Sequence, residues 1–375
     1  MPRLAVNMLV LNAEKVLDRC LRHLAGVVDE LVVVDSGSDD GTRAKLEELA
    51  AFLKLDRYYY ERLHPCGKDF FTDEQASWNR GMPGPFTGRR VLADWAKARN
   101  VALDNTTADY VLKLDADDEL LTPAGNLSAL LVHLDKNPHV SIVSAPYEIM
   151  DGQGNPEWLS MYDRIWRCNS GHRWKQPMHE YLGGKTGGNT MFVPGGLAVR
   201  DWRDSPGEGV RIAHRNLKVL LHTWENQDPR FDVRWAFHND LIFRFTLAHE
   251  AAEVFPSWSR ELLANVMTRL DPADLGMLSD CHYHKGRSLE AEGRMQDAYD
   301  AYLEADRSTR SHPQALLRAW AIAPCFEMKN MLAADIVARM NVEGQPAYNC
   351  DLRLLAKVLK SRKEASDAQF VCNQT

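Results

Sequence analysis

The first 150 residues alternate short apolar runs with segments of helical periodicity. Buried strands are predicted at residues 4–11, 31–34 and 110–114, and helices at 13–24 and 43–53. Strands that alternate with helices, and that end in polar residues, are typical of a mostly parallel α/β sheet. Ligands bind beyond the carboxyl ends of such strands. We therefore expect the acidic turns that follow the second and third strands to face one crevice.

From about residue 214 onward the pattern is one helix after another. Residues 279–308 fit the 34-residue tetratricopeptide (TPR) pattern, with Gly286 at the close-packing position of the first helix. Tyr302 falls at the large inward position of the second helix, and Ala334 starts a degenerate copy of that helix about 36 residues after Ala298. The sequence therefore predicts an α/β domain over residues 1–210 and an all-α, TPR-like domain over 211–375.

Two stretches, 63–90 and 183–209, break the periodicity and are rich in glycine. A long irregular loop inside a compact domain is usually functional or disordered, and the aromatic content of 63–90 favours an ordered loop. In that loop, cations alternate with aromatic rings: Lys68, Phe70, Phe71, Trp78, Arg80, Phe86, Arg89 and Arg90. Rings can stack on sugars or bases, and arginines can meet phosphates, so both kinds of ligand stay open.

Composition and charge narrow the class of protein. The chain of 375 residues has 45% hydrophobic and 26% charged residues, which excludes a fibrous or disordered chain. Its net charge of -7 argues against a protein held to nucleic acid by bulk charge. No apolar run approaches the roughly 20 residues of a membrane span, and the N-terminus lacks a targeting pattern. Seven cysteines without a CxxC pair indicate reduced thiols, so we expect a cytoplasmic protein.

The acidic turn after the third strand, DADDE, carries Asp115, Asp117, Asp118 and Glu119. Like charges about 4 Å apart repel by about 4 kcal/mol at an effective dielectric constant of about 20. A divalent cation would remove that cost and could bridge the carboxylates to a diphosphate. The same pattern suits the acidic first turn of a helix, where carboxylates meet the positive end of the dipole. Both interpretations remain open from the residues alone.

The other acidic turn, DSGSDDGT at residues 35–42, follows the second strand. Asp35 ends that strand and is well placed to accept hydrogen bonds from a base or a ribose. Thr42 is suited to cap the next helix. A plain strand–turn–helix connection is the alternative.

Three segments, taken in order, resemble the family 2 glycosyltransferases of the GT-A fold: LAVNMLVLNAEKVLDRCLRHL, VDELVVVDSGSDDGT and ADWAKARNVALDNTTADYVLKLDADDEL. The resemblance covers about residues 3–200. It implies transfer of a sugar from a nucleotide diphosphate donor, most often UDP, usually with inversion and with Mn²⁺ or Mg²⁺. The implied donor-binding residues are Asp35, Ser36, Asp39, Arg99, Asn100 and Asp115. Asp117, the second acid of the D-x-D pattern, is the implied metal ligand.

A further point of similarity lies in residues 164–182, which end in the HEYL stretch. Some members of the family carry a similar tryptophan–His-Glu stretch, which implies His179 as a second metal ligand and Glu180 as the general base. Asp118 and Glu119 are rival bases, and a lone histidine can equally be structural. Arg164 or Arg167 could contact the diphosphate or be a surface arginine.

The sequence thus predicts a metal-dependent, inverting glycosyltransferase whose acceptor is a glycan, a protein or a modified nucleic-acid base. The TPR-like helices could bind a protein partner. A helical-repeat adaptor with an inactive glycosyltransferase-like domain is the alternative. We favour the enzyme because every motif of the set is intact.

Overall fold

A computed structural model describes most of the chain. The described residues are 2–64, 70–72, 90–150, 154–184, 189–193, 198–202, 208–225, 236–309, 312–343, 350–351 and 353–362. Most of the predicted 63–90 loop, with Lys68, Trp78, Arg80, Phe86 and Arg89, lies outside the described residues.

The three predicted strands and the two predicted helices of the first half occur in the expected order, and further strands that the periodicity did not predict accompany them. The strands are β1 (Leu4–Val10), β2 (Glu30–Asp35), β3 (Arg57–Arg62), β4 (Tyr110–Lys113), β5 (Asp118–Leu120), β6 (Val140–Met150), β7 (Pro156–Arg167), β8 (Arg173–Lys175), β9 (Tyr181–Gly183), β10 (Asn189–Phe192), β11 (Val199–Trp202) and β12 (Cys350–Asp351). The helices are α1 (Leu17–Leu21), α2 (Thr42–Leu53), α3 (Trp95–Asp104), α4 (Ala124–Lys136), α5 (Glu208–Glu225), α6 (Ala236–Ala251), α7 (Pro256–Met267), α8 (Leu275–Ala291), α9 (Met295–Thr309), α10 (Pro313–Ile322) and α11 (Phe326–Glu343). Short 3-10 helices cover Arg22–Leu24 and Cys168–Ser170, and residues 353–362 are also helical.

The chain divides into two compact units. The first contains Met1–Gly154, Ser160–Asp204 and Lys218–Gln227, and the second contains Asn155–Leu159, Ser205–Leu217 and Asp228–Thr375. The boundary predicted at residue 210 falls inside helix α5 and stays a prediction.

The first unit is built on a mixed, mostly parallel sheet with the order β3-β2-β1-β4-β7-β6-β11-β5. Strand β1 is parallel to both β2 and β4, whereas β4 pairs antiparallel with β7. The predicted fold class, a mostly parallel α/β sheet followed by a helical region, is confirmed.

Both faces of the central strands are covered, which explains their unbroken apolar runs. On one face, Val33 belongs to the main core together with Leu46 and Leu49 of α2. On the other face, Val32 and Val34 pack in a second cluster with Ala98 and Ala102 of α3. These alanines are four residues apart, so they share one side of α3 and dock it against the sheet. This docking fixes where the rest of α3 points.

Two segments differ from their sequence-based interpretation. The acidic DADDE segment leads into strand β5, so the interpretation as a helical first turn is wrong. The 183–209 region, predicted to be irregular, contributes strands β10 and β11. Both strands pair with β6, and β11 also pairs with β5. The alternation of apolar and polar residues in these strands is too short to be recognised among the surrounding glycines.

In the second unit, α8 and α9 form the helical hairpin that the TPR pattern predicts. Gly286 of α8 faces Tyr302 of α9 so closely that an added Cβ would lie 2.5 Å from the tyrosine ring. Helix α6 is followed by a turn and forms a further hairpin with α7. Among the described helices, none has both the length and the apolar character that crossing a bilayer requires.

Replacing Gly286 with alanine tests the helix contact. We expect Gly286→Ala to lower the free energy of unfolding by about 1–3 kcal/mol, because the methyl group overlaps the Tyr302 ring. Gly276→Ala in the same helix is the control, since its nearest neighbour would lie 3.8 Å away. That variant should be neutral or up to about 1 kcal/mol more stable. Thermal unfolding of both variants measures the difference, and equal stability would contradict the packing account.

Candidate active site

The two acidic turns lie at the same edge of the sheet. Asp35 ends β2, and Asp115 lies just beyond the end of β4. Strand β1 lies between β2 and β4 and is parallel to both. The carboxyl ends of the three strands therefore meet at one edge, as the sequence predicted.

Asp35 is buried and anchors the turn that follows it. Its Oδ1 atom accepts hydrogen bonds from the backbone N–H groups of Gly37 and Ser38, at 2.8 and 2.7 Å. The hydroxyl of Tyr60 donates to Oδ2 at 2.7 Å. Gly37 has φ +115°, a conformation that a side chain would strain. Asp35 thus fixes the path of the loop with both oxygens engaged.

The rest of this turn is tied to the end of β1. Asn12 donates its backbone N–H to Ser38 Oγ and accepts from the backbone of Asp39. Ser36 donates its hydroxyl to the Val10 carbonyl at 3.1 Å. The side chain of Asp39 remains exposed at the surface of the turn. Of the predicted donor-binding residues here, Asp39 is therefore the most open to a ligand.

Arg99 is the buried cation at the centre of the site. Its side chain is 8% exposed, and its Nε donates to Glu180 Oε1 at 2.7 Å. Its Nη2 donates to Asp115 Oδ1 at 2.8 Å. The guanidinium lies 5.4 Å from the ring centroid of Trp174. One arginine therefore joins the D-x-D turn to the His-Glu stretch.

Asn100, the other residue of the predicted pair, holds strand β8. Its side chain exchanges two hydrogen bonds with the backbone of Trp174, both at 3.0 Å. It thereby fixes the ring against which Arg99 packs. In the structure, Asn100 therefore uses both polar atoms of its side chain on the protein backbone.

Asp115 lies between two cations. It accepts from Arg99 on one oxygen and from Lys113 Nζ on the other. Burial alone would raise the pKa of Asp115, but the charges of Lys113 and Arg99 hold it far below its usual range. Asp115 is therefore a permanent anion.

Asp117 has the opposite environment. Its carboxylate is open to solvent, but the surrounding protein leaves it poorly hydrated. The pKa of Asp117 is raised to about 7. The loss of hydration is the largest cause, and repulsion by the charges of Asp115, Asp201 and Asp118 adds to it. An accessible carboxylate that is repelled by three others attracts a cation.

Asp118 is fully buried and supports the turn from beneath. Its Oδ2 accepts from Arg164 Nη1 at 3.0 Å and from the backbone N–H of Asp115 at 2.8 Å. Its Oδ1 is buried without a hydrogen-bond partner among the described residues. Burial is the main cause that raises the pKa of Asp118, although Arg164 opposes the shift.

The His-Glu pair diverges. Glu180 turns inward to Arg99, and its side chain is 16% exposed. His179 is exposed and has φ +52°, in the left-handed region that few residues adopt. The reversal of the chain at His179 thus accompanies the inward turn of Glu180. The structure brings together Arg99, Asp115 and Glu180, whereas Asp35 belongs to the neighbouring turn.

Three site residues were missed by the sequence analysis. Lys113 lies two residues before Asp115, a spacing that puts both on one face of an extended chain and that could have revealed it. Trp174 lies in the tryptophan–His-Glu segment 164–182 but was given no role there, and Asp201 carries no local signal. Asp201 lies opposite Asp118 in the pairing of β11 with β5, a strand pair that was not predicted.

The two arginines considered for the diphosphate are both engaged by protein groups. Arg164 is buried and binds Asp118. Arg167 donates to the carbonyls of Leu134, Asn137 and Val140, where α4 ends and β6 begins. Neither is a simple surface arginine.

A comparison with protein families matches residues 6–65 and 89–201 to the glycosyl transferase family 2 model. The match contains both acidic turns, Arg99 and Glu180, and it omits residues 66–88 of the long loop. The comparison thus identifies a glycosyl transferase family 2 domain in the first half of the chain.

A TPR repeat-containing protein of Synechococcus elongatus is 29% identical over 182 residues, which are 48% of this chain and 36% of that protein. The chain thus spans about a third of the length of this curated relative. TarS 1-349 of S. aureus in complex with UDP-GlcNAc is 13% identical, with a TM-score of 0.43 over 83% of this chain and 93% of that chain. The mannosyltransferase PcManGT of Pyrobaculum calidifontis in complex with GDP-Man and Mn²⁺ is 15% identical, with a TM-score of 0.35 over 81% and 87%.

The Arg164–Asp118 pair generates a prediction about stability. Arg164→Met leaves a buried carboxylate without its counter-ion and should cost about 3–5 kcal/mol in urea unfolding. The control is Arg173→Met, which breaks an exposed pair with Asp104 and should cost less than about 1 kcal/mol. Adding Asp118→Asn to Arg164→Met should recover part of the loss. Equal losses for the buried and the exposed pair would contradict the account.

Proposed function

Starting from its glycosyl transferase family 2 domain, we propose that this chain transfers a sugar from a nucleotide diphosphate donor to an acceptor, with inversion at the anomeric carbon. A UDP-sugar is the first choice of donor. The observation that carries the proposal is the buried Arg99, which binds an aspartate of the D-x-D turn and the candidate base at the same time.

The acidic turn has the features that a divalent cation requires. Asp117 is accessible and crowded by Asp115, Asp118 and Asp201, and the buried Oδ1 of Asp118 has no hydrogen-bond partner in the described chain. Among the described residues, no three side chains of His, Cys, Asp or Glu are already grouped for metal binding. Mg²⁺-like ions are commonly held by one or two carboxylates together with substrate phosphates, so the donor itself would complete the site.

Asp117 would hold Mn²⁺ or Mg²⁺ in this way, with His179 as a second candidate ligand. Such an ion neutralises charge on the departing diphosphate. Arg99 adds a fixed positive charge beside the same turn. Because it is already paired and buried, it needs no rearrangement when charge develops on the leaving group.

The turn after β2 is the proposed nucleotide site. Asp35 and Ser36 shape the turn through their hydrogen bonds to Gly37, Ser38 and Val10. Asp39 is exposed and is suited to accept hydrogen bonds from ribose hydroxyls. In this proposal Asp35 acts mainly by holding the loop.

In the transfer step, the acceptor oxygen attacks the anomeric carbon as the bond to the diphosphate oxygen breaks. The acceptor proton must go to a carboxylate. The geometry favours Glu180 over Asp118 as this base. Arg99 binds one oxygen of Glu180 and orients the other, whereas Asp118 is fully buried and held by Arg164.

The helical region is proposed to bind a protein or to support the enzyme. Its TPR-like hairpin and the TPR repeat-containing relative favour a protein partner. In the inactive-adaptor alternative, the helical region would still bind a protein, but the glycosyltransferase-like domain would transfer no sugar.

The experiment is nucleotide release from a panel of UDP-, GDP- and dTDP-sugars, with Mn²⁺, with Mg²⁺ and with EDTA. We expect slow release from one donor that stops with EDTA. Asp117→Asn should reduce that release by about 100-fold or more, since it removes the charge that holds the cation. Glu47→Gln, at an exposed carboxylate on α2, is the control and should keep full activity.

Calorimetry with the same nucleotides separates the outcomes. Release that persists in Asp117→Asn would contradict the metal assignment. If no nucleotide is released and none binds in the presence of Mn²⁺, the adaptor alternative takes the place of the enzyme.

A further inference from the structure

A pair of tyrosines lies next to the acidic turn and takes no part in the chemistry described above. The rings of Tyr147 on β6 and Tyr162 on β7 meet edge to face, with centroids 5.1 Å apart and planes at 79°. This is a favourable arrangement for two aromatic rings. The two strands therefore carry a fixed aromatic pair.

Arg164 connects this pair to the site. Its guanidinium carbon lies 4.4 Å from the Tyr147 centroid and 5.8 Å from that of Tyr162. The same guanidinium donates to Asp118 of the acidic turn at 3.0 Å. One buried side chain thus links the tyrosine pair to the acidic turn.

Tyr162 departs from the burial pattern of its strand. Residues 160, 162, 164 and 166 share one face of β7, because side chains alternate along a strand. Ser160, Arg164 and Trp166 are 3%, 1% and 1% exposed, whereas Tyr162 is 50% exposed. A large ring that is half open to solvent between two buried neighbours on its face, Ser160 and Arg164, is available to a ligand.

The ring of Tyr162 is already held by its neighbours, which favours the binding of a ligand. Tyr162 contacts both Tyr147 and Arg164, so a ligand would not have to immobilise a free side chain. Ordering such a side chain normally costs about 0.5–1.5 kcal/mol. The exposed part of the ring presents a flat, apolar surface.

We propose that Tyr162, supported by Tyr147 and Arg164, is the acceptor platform and that the acceptor is a neutral carbohydrate. The proposal rests on the glycosyltransferase function. A pyranose ring has a face of C–H groups that stacks on an aromatic ring, while its hydroxyl groups remain free to reach the base. Tyrosine gives the apolar face together with a polar edge.

The bases of a nucleic acid also stack on aromatic rings. The charge of the surroundings favours a neutral carbohydrate over a nucleic acid as the acceptor. The positive charge of Arg164 is paired with Asp118, and those of Arg99 and Lys113 are paired with Asp115. The whole chain carries -7. A phosphate backbone would gain no ion pair from these three cations, whereas a neutral sugar needs none.

The test uses the full-length chain, fluorescently labelled, on an array of neutral gluco-, manno- and chito-oligosaccharides and single-stranded oligonucleotides, with UDP and Mn²⁺. We expect the wild type to bind a neutral oligosaccharide. Tyr162→Ala and Tyr162→Leu should both weaken that binding by about tenfold or more, and Tyr162→Trp should retain it within about threefold. Phe52→Ala removes a ring of similar exposure, 46%, from α2 and should bind like the wild type.

Three results would overturn the proposal: unchanged binding in Tyr162→Leu, binding of oligonucleotides alone, or no oligosaccharide binding by a chain that binds UDP. The last result leaves the glycosyltransferase function standing. If calorimetry finds that the wild type binds no nucleotide, that result contradicts the glycosyltransferase function itself, on which the acceptor proposal rests. Two Tyr162 variants are used, with thermal unfolding of each, so that a folding defect in one does not decide the outcome.

Discussion

The site depends on one buried guanidinium with two carboxylate partners. Arg99 extends from α3, which Ala98 and Ala102 dock against the sheet, and binds both Asp115 and Glu180. A buried charge is tolerated when it is paired and hydrogen-bonded on more than one side. Removing either carboxylate would leave Arg99 partly unpaired. The acidic turn, α3 and the His-Glu stretch are therefore held in one arrangement.

Around this arginine, charges of opposite sign alternate through the buried layer. Lys113 and Arg99 flank Asp115, and Arg164 binds Asp118 from below. Asp117 alone of these carboxylates is directed to solvent and is surrounded mainly by other acids. The fold thus pairs Asp115 and Asp118 with cations and leaves Asp117 exposed among other acids. Such an uneven division of charge is typical of a binding site.

Periodicity predicted the central strands, because an apolar run such as residues 31–34 is a local signal. The spacing of small and large residues predicted the TPR-like hairpin, in which a glycine lies opposite a tyrosine. The site itself could be predicted only in part. Arg99 and Glu180 are 81 positions apart in the chain, and no local pattern pairs them. Asp201 escaped prediction because its strand lies among glycines and pairs with β5 through tertiary structure. The resemblance to a family named Arg99 and Glu180, but their contact follows only from the fold.

The most direct test of this account is a double-mutant cycle on Arg99 and Glu180. The measured quantity is the rate at which nucleotide is released, in the presence of acceptor, from the donor that the panel of nucleotide sugars identifies. The account predicts that Arg99→Gln and Glu180→Gln each slow release strongly and that the double variant is slowed by little more than the worse single variant. Residues that act as a unit give such non-additive losses. Losses that multiply in the double variant would mean that the two side chains act independently, which would contradict the account.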